Sequence, residues 1–131
     1  MKTRIVLTGI LKDNDLLLAV KRSENDDCFP GAWEFPGGHL EVGETIEEGL
    51  CRELKEEIGF SLKTKPIITN YTDEIKNKNG VLIHNIEIDF IINVNKDDIN
   101  IVLSPEHTEY KWLDKNSELL DEYIKSKLDN I

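Results

Sequence analysis

Three carboxylates lie close together in the segment RELKEEIGF, residues 52–60. At about 100° per helical residue, Glu53, Glu56 and Glu57 fall within about a 100° arc on one helix. Like charges at such spacings destabilise a helix by about 0.2–0.5 kcal/mol per pair. A solvated acidic surface is the common outcome for such a helix. The sharper alternative is a cation site, because carboxylate oxygens are the ligands that Mg²⁺ and Mn²⁺ prefer.

The surrounding charge favours the cation site. Residues 41–57 contain seven acidic and two basic side chains, a local charge of −5 within a net charge of −10. Arg52 can reach Glu56 one helical turn away and hold that carboxylate in place. Gly49 lies in the same arc one turn earlier, although glycine inside a helix costs about 0.5–1 kcal/mol relative to alanine. We therefore expect a bulky group to need that space.

Two helices are expected in the elements that position these residues. Thr45-Ile46-Glu47-Glu48 has the form of a capping box, and Gly59 suits a left-handed C-terminal cap, so the first helix should span residues 46–58. Helical periodicity predicts a second helix over residues 117–128. The apolar side of that helix would consist of Leu119, Leu120, Tyr123, Ile124 and Leu128.

Apolar and alternating runs predict strands in two hairpins, with turns at residues 12–15 and 76–80. The predicted strands are residues 4–11, 16–22, 67–75 and 81–94. In residues 81–94, alternation predicts one buried face and one mostly polar face. The buried face would be Ile86, Ile88, Phe90, Ile92 and Val94, and the polar face Asn85, Glu87, Asp89, Ile91 and Asn93.

The segment WEFPGGHLEVGE, residues 33–44, leads into the first helix. Residues 33–35 suit a short strand that Pro36 closes, and Gly37-Gly38 allows a turn and a close backbone approach to another group. Bare backbone groups beside a carboxylate-bearing helix suit metal and phosphate. Strands and helices that alternate in this way predict the α/β class, with helices packed on the faces of a mixed sheet.

The segment from Gly38 to Phe60 resembles the Nudix hydrolase signature, G-x5-E-x7-R-E-U-x-E-E-x-G-U, where U is aliphatic. Every fixed position matches, and Phe60 occupies the last, loosely hydrophobic position. WEFPGG and GET resemble the MutT-like branch of the family. The resemblance implies a single Nudix domain over residues 1–131, an α/β/α sandwich with a mixed β-sheet, and attack of a metal-activated water on phosphorus.

The resemblance also implies roles for the motif residues. Glu53 and Glu57 would bind Mg²⁺ or Mn²⁺ directly, Glu56 directly or through water, and the Gly38 carbonyl would complete the shell of one ion. Which group removes the proton of the water varies within the family. The motif residues expected to take part in catalysis are Glu53, Glu56, Arg52 and Glu44.

The segment SPEHTEYKWLD, residues 104–114, resembles a family loop that can supply another acid. Glu109, just before a short strand at residues 110–112, is the first choice as a catalytic and metal-binding residue, and Glu106 is the second. For each, an exposed loop glutamate is an equal alternative.

Expected substrate contacts lie outside the helix. Lys21 and Arg22 end a strand where they could meet phosphates, although a solvated strand end is nearly as common. Trp33 and Phe35 could stack on a base, although burial is the commoner outcome for aromatic side chains. Gly37 would approach the phosphates. His39, His84 and His107 are too scattered in sequence to predict a metal-binding motif.

Composition limits the classes of partner. A chain of 131 residues with 39% hydrophobic residues can form one domain. Its net charge of −10 argues against sequence-independent nucleic-acid binding and against acidic membranes. Two cysteines, no signal-like start and no long apolar run suggest a reduced, cytoplasmic protein. A homodimer is common among Nudix proteins and is left open.

The expected substrate is a small nucleotide, and the leading hypothesis is a nucleoside triphosphate, including an oxidised one of the 8-oxo-dGTP type, cut to the monophosphate and pyrophosphate. Alternatives are a nucleotide sugar, ADP-ribose or a dinucleoside polyphosphate. A non-catalytic module that binds nucleotide or metal and an acidic protein-interaction domain are hypotheses of other classes.

Overall fold

A mixed β-sheet forms the centre of the computed structural model, which describes residues 1–131. Two α-helices and one short 3₁₀ helix, Lys96–Asp98, accompany the sheet. The strands are β1 (Lys2–Asp13), β2 (Leu16–Arg22), β3 (Trp33–Glu34), β4 (Gly37–His39), β5 (Ile67–Lys78), β6 (Val81–Asn93) and β7 (His107–Asp114), and the helices are α1 (Ile46–Ile58) and α2 (Glu122–Ser126).

The long strand β1 organises the sheet, whose main order is β3-β2-β1-β6-β5. β1 pairs with β6 in parallel, and the other pairings are antiparallel. β4 pairs with β1, and β7 pairs with β2. Both predicted hairpins are confirmed, with left-handed backbone at Asn14 in the first turn and at Asn79 and Gly80 in the second.

Alternating residues of the strands fill two hydrophobic clusters, one on each face of the sheet. In β1, Leu7 and Leu11 point to the α1 side, whereas Ile10 points to the α2 side. Leu50, Leu54 and Ile58 of α1 complete the first cluster, and Leu120, Ile124 and Leu128 complete the second. This arrangement confirms the predicted α/β/α sandwich.

The predicted bounds of α1 are confirmed, because its ends are specified by local chemistry. The Thr45 hydroxyl accepts from the Glu48 N–H at 3.2 Å, and the Glu48 carboxylate accepts from the Thr45 N–H at 3.1 Å. Gly59 ends the helix with a left-handed backbone at φ 67°.

The predicted bounds of the second helix are wrong. α2 covers only Glu122–Ser126, because the Asp121 carboxylate accepts from the Ile124 N–H at 2.9 Å and so begins the helix late. The preceding residues form turns, in which the Ser117 hydroxyl accepts from the Leu119 N–H. Leu119 and Tyr123, which were expected on the apolar side, are exposed. No helix has the length and apolar character needed to cross a membrane.

The face of β6 that was predicted to be mostly polar is partly buried. Asp89 on this face is 1% exposed, and Ile91 beside it is also buried. The Lys127 ammonium donates to the Asp89 carboxylate at 3.0 Å, and the Asn70 amide donates to it at 3.2 Å. Lys127 follows α2, so a buried ion pair attaches the C-terminal segment to the sheet.

Breaking this ion pair should destabilise the fold. We expect Lys127→Met to lower the free energy of unfolding by about 3–5 kcal/mol, because Asp89 would stay buried without its cation. Adding Asp89→Leu should recover most of that loss. Urea denaturation measures both. Lys125→Met, in α2 but outside the ion pair, is the control and should change stability by less than about 0.5 kcal/mol. No recovery in the double variant would contradict the assignment.

Candidate functional site

The backbone of β4 lies unusually close to its neighbours. Gly37 and Gly38 pair with Thr8 and Leu7 of β1 in an extended conformation, so the expected turn at this pair is wrong. The expected close approach is confirmed. A Cβ at Gly37 would overlap the Leu7 carbonyl, and one at Gly38 would overlap the Glu53 carboxylate. Space, and not backbone angle, therefore favours glycine at both positions: fixed backbone blocks a Cβ at Gly37, and the Glu53 side chain would have to move for one at Gly38.

β4, α1 and the loop before β7 enclose an open cleft of about 260 Å³, which we call the carboxylate cleft. A larger depression near the β1–β2 turn contains none of the motif residues. The residues that line the carboxylate cleft are Gly37, Gly38, His39, Glu53, Glu56, Glu57, Ser104 and Glu106.

Arg52 organises one side of the carboxylate cleft. Its guanidinium donates twice to Glu44, at 2.6 and 3.0 Å, and once to Glu53 at 2.7 Å. It also donates to Glu56 at 3.2 Å and to the His39 carbonyl at 2.9 Å. The bonds to Glu44 and then Glu53 raise the pKa of Arg52 further. A permanently charged arginine therefore holds three carboxylates and the end of β4 together.

Glu57 occupies the most buried position among the motif carboxylates. The Gly37 N–H donates to it at 2.7 Å, so β4 is joined directly to α1. Burial raises the pKa of Glu57 to about 7, although the bond from Gly37 opposes this shift. Glu57 is thus the carboxylate whose charged form most needs a nearby cation.

The acidic loop before β7 is fixed to the end of α1. The Ser104 N–H donates to the Glu57 carbonyl at 2.9 Å, and the Val102 N–H donates to the Ile58 carbonyl at 3.0 Å. These bonds place Glu106 at the carboxylate cleft. Glu109, the first choice from the sequence, lies instead in β7 opposite Lys21, 3.7 Å from its ammonium, and is 51% exposed.

The donor atoms of the carboxylate cleft suit a hard divalent cation. Four carboxylates and the backbone oxygens of β4 are available. The missing side chain at Gly38 leaves the space that brings Glu53 against the backbone. No three acidic, histidine or cysteine side chains of residues 1–131 already surround one point. Glu53 is instead drawn to Arg52, and Glu57 to Gly37.

Comparison with known proteins identifies the family. Residues 2–129 match the family model described as NUDIX domain. The chain belongs to the Nudix family. It is a hydrolase of nucleoside phosphate anhydride bonds, and Nudix hydrolases generally use divalent ions such as Mg²⁺ or Mn²⁺.

Two curated relatives illustrate the similarity of the Nudix chain to enzymes with different names. An ADP-ribose pyrophosphatase from Methanocaldococcus jannaschii is 37% identical over 90 residues, which are 69% of this chain and 50% of the relative. The nucleoside triphosphatase NudI from Salmonella arizonae is 31% identical over 120 residues, 86% of this chain and 83% of the relative. The chain therefore spans half the length of the first relative and most of the second.

Solved structures show the same Nudix fold. The MutT protein from Methanosarcina mazei has a TM-score of 0.78 and 26% identity, over 98% of this chain and 91% of that one. A MutT Nudix hydrolase from Burkholderia pseudomallei has a TM-score of 0.80 over 100% and 99% of the two chains. At 21% identity, the second similarity concerns the fold alone.

Four of the five residues expected to contact substrate lie apart from the carboxylate cleft. Arg22 binds Glu34 and Asp26, and Lys21 lies 3.3 Å from Glu24 and 3.7 Å from Glu109. Trp33 and Phe35 are buried in the hydrophobic cluster on the α2 side, which leaves neither ring face free for a base. Of the expected substrate contacts, Gly37 alone lines the cleft.

Sequence reasoning missed His107, which lies next to the Nudix carboxylates. Its Nδ1 is 3.6 Å from Glu57, and its Nε2 is 3.1 Å from Glu34. Burial lowers the pKa of His107, but the bond to Glu34 and the charge of Glu57 outweigh that effect and raise it. No local pattern in the sequence indicates that His107 lies near the motif, because the pairing of β7 with β2 brings it next to the carboxylates.

The two glycines of β4 should respond differently to alanine. At Gly37 the added Cβ meets fixed backbone, so we expect Gly37→Ala to lower the free energy of unfolding by more than about 2 kcal/mol. At Gly38 it meets the end of a flexible side chain, so Gly38→Ala should cost less than about 1 kcal/mol. Guanidinium denaturation compares the two. Equal losses would contradict this description of β4.

Proposed function

We propose that this Nudix hydrolase cleaves a nucleoside triphosphate, including an oxidised one, to the monophosphate and pyrophosphate. The observation that carries the proposal is the carboxylate cleft, in which Glu53 and Glu57 of α1 face the backbone of β4. The similarity to the protein named nucleoside triphosphatase NudI supports the triphosphate, since it extends over most of both chains. The similarity to an ADP-ribose pyrophosphatase covers half of that protein.

Glu53, Glu56, Glu57 and the Gly38 carbonyl would hold Mg²⁺ or Mn²⁺, with Glu106 as a further acid. All five groups line the carboxylate cleft, and their oxygen atoms are hard donors. When bound, such an ion polarises a phosphoryl oxygen and lowers the pKa of a coordinated water. The protein supplies the position and the negative charge that the ion requires.

Arg52 and Glu44 would position the cleft. Glu44 accepts two bonds from Arg52 and one from the Glu41 N–H at 2.9 Å, so it fixes both the guanidinium and the loop before α1. Arg52 in turn holds Glu53, which is 14% exposed, and reaches Glu56, which is 60% exposed. Glu56 is thus the motif carboxylate with the greatest freedom to move toward the reacting water.

The proposal extends to the whole chain as one Nudix domain, since the family match leaves only residue 1 and residues 130–131 outside. A net charge of −10 would repel a free triphosphate. The concentration of acids at residues 41–57 makes that repulsion strongest where the phosphates must bind, which is why the proposed cation is indispensable to the mechanism.

A phosphate-release screen tests the activity. It compares canonical and oxidised nucleoside triphosphates, nucleotide sugars, ADP-ribose and dinucleoside polyphosphates in the presence of Mg²⁺ or Mn²⁺. We expect the highest kcat/KM with a triphosphate and release of pyrophosphate. Preference for any other class would contradict the proposed substrate, and absence of turnover on every class would contradict catalysis.

Neutralising a single cleft carboxylate should slow the reaction. We expect Glu53→Gln and Glu57→Gln each to lower kcat at least about tenfold, which corresponds to about 1.4 kcal/mol of barrier, because each removes a charged ligand. Glu47→Gln is the matched control, since it removes an exposed carboxylate of α1 outside the cleft and should retain the wild-type rate. Wild-type rates in both cleft variants would contradict the site.

Two acids near β7 provide a further test. We expect Glu106→Gln to lower kcat at least about tenfold, because Glu106 lines the cleft. Glu109→Gln should change kcat by less than about twofold, because its carboxylate lies beside Lys21. Steady-state kinetics with the best substrate of the screen measures both. The opposite ranking would restore Glu109 as the additional acid.

A further inference from the structure

A chain of polar side chains lies behind the carboxylate cleft and runs from Asp26 to Glu57; Asp26, Arg22 and Glu34 are half-buried, whereas His107 and Glu57 are buried. Arg22 donates to Asp26 at 3.0 Å and to Glu34 at 3.1 and 3.2 Å. Glu34 accepts from the His107 Nε2 at 3.1 Å. The chain therefore connects the loop after β2, through two strands, to a motif carboxylate.

The other nitrogen of His107 faces the motif carboxylate. The side chain of His107 is 2% exposed, and its Nδ1 lies 3.6 Å from a Glu57 oxygen. This buried nitrogen has no hydrogen-bond partner. Buried polar atoms are nearly always paired, so the unpaired Nδ1 calls for an explanation. Because Nε2 donates to Glu34, Nδ1 can donate to Glu57 only when the ring carries a proton on both nitrogens. A small movement of the Glu57 carboxylate toward that N–H would then form the bond.

One oxygen of Glu57 lies 3.6 Å from the His107 Nδ1, and the His107 ring is fixed by the bond from its Nε2 to Glu34. The opposite oxygen of Glu57 is held by the Gly37 N–H at 2.7 Å. A carboxylate oxygen has two lone pairs, so a contact from Gly37 and one from His107 still leave lone pairs for a cation. The two groups together restrict both the position and the rotation of the carboxylate.

We propose that His107 is a positioning residue of the metal site, which orients the Glu57 carboxylate for the cation and is itself oriented by Glu34. This inference rests on the proposed role of Glu57 as a metal ligand. Groups behind a metal ligand commonly change metal affinity by about 10–100-fold when they are removed. His107 would act in this way on a carboxylate ligand, and Glu34 and Arg22 would extend the support to the loop after β2.

Two amide substitutions separate positioning from packing, because each retains one half of the ring's polar contacts. His107→Asn keeps a polar group near the Nδ1 position, which faces Glu57. His107→Gln keeps one near the Nε2 position, which faces Glu34. A purely structural role would make the two variants similar in metal binding. A role in positioning Glu57 makes His107→Asn the better of the two.

The measurement is the Kd of Mn²⁺ for the whole chain without nucleotide, from the electron paramagnetic resonance signal of free Mn²⁺, with thermal unfolding of the metal-free variants alongside. We expect His107→Ala and His107→Gln to raise Kd at least about tenfold and His107→Asn to raise it less than about threefold. His84→Ala is the matched control, since it removes another histidine–carboxylate contact, 2.7 Å from Asp73, and should leave Kd unchanged.

The outcomes distinguish this inference from the proposed function. If Glu57→Gln weakens Mn²⁺ binding but folded His107→Gln binds like the wild type, the positioning role is overturned and the metal site stands. If the asparagine and glutamine variants weaken binding equally, the positioning role is also overturned. If the wild type does not bind Mn²⁺, or Glu57→Gln binds it equally well, both the metal site and this inference are overturned.

Discussion

The bond from the Gly37 N–H to the Glu57 carboxylate joins the sheet to the helix that carries the motif. It requires the β4 backbone to pass closer to its neighbours than a side chain would permit. β4 can take that position because β1 pairs with it on one part of its length and with β2 on another. The location of the carboxylate cleft thus depends on two glycines and on the length of one central strand.

Charged side chains of residues 41–57 lie around the bond between Gly37 and Glu57. In the sequence, the acids of residues 41–57 look like uncompensated repulsion. In the fold, Arg52 is bonded to three of them, Glu44, Glu53 and Glu56, whereas Glu57 is bonded to the Gly37 N–H. Burial then makes the charged form of Glu57 costly, as its raised pKa shows. The local electrostatics therefore favour a cation at the carboxylate cleft.

The features predicted correctly from the sequence are those that neighbouring residues along the chain determine. The bounds of α1 follow from the residues at its two ends. The Thr45 side chain caps the first turn, and the left-handed backbone of Gly59 ends the helix. The C-terminal helix was predicted too long, because periodic apolar residues do not reveal that Asp121 would begin a later and shorter helix. Asp89 was assigned to a polar face, because the alternation of β6 does not show that Lys127, 38 residues away, covers it. Periodicity describes one segment, whereas burial depends on the segments that cover it.

The residues of the site show the same contrast between local and long-range determination. Glu53, Glu56 and Glu57 were found because one helix holds them at fixed spacing, and the structure places all three at the carboxylate cleft. Glu106 and Glu109 could not be ranked from sequence, because the ranking depends on which residue begins β7 and on its pairing with Lys21. His107 gave no signal, since its partners come from β3 and α1.

The negative charge of the motif carboxylates has a consequence for nucleotide binding. The motif supplies carboxylates whose mutual repulsion a divalent cation would relieve, and the same cation would give the triphosphate a positive surface to approach. Without it, both the cleft and the ligand are negative. In the proposed mechanism the carboxylates must therefore be neutralised before or together with nucleotide binding. In that mechanism the groups that hold those carboxylates, Arg52 from one side and Gly37 from the other, would influence nucleotide affinity without touching the nucleotide.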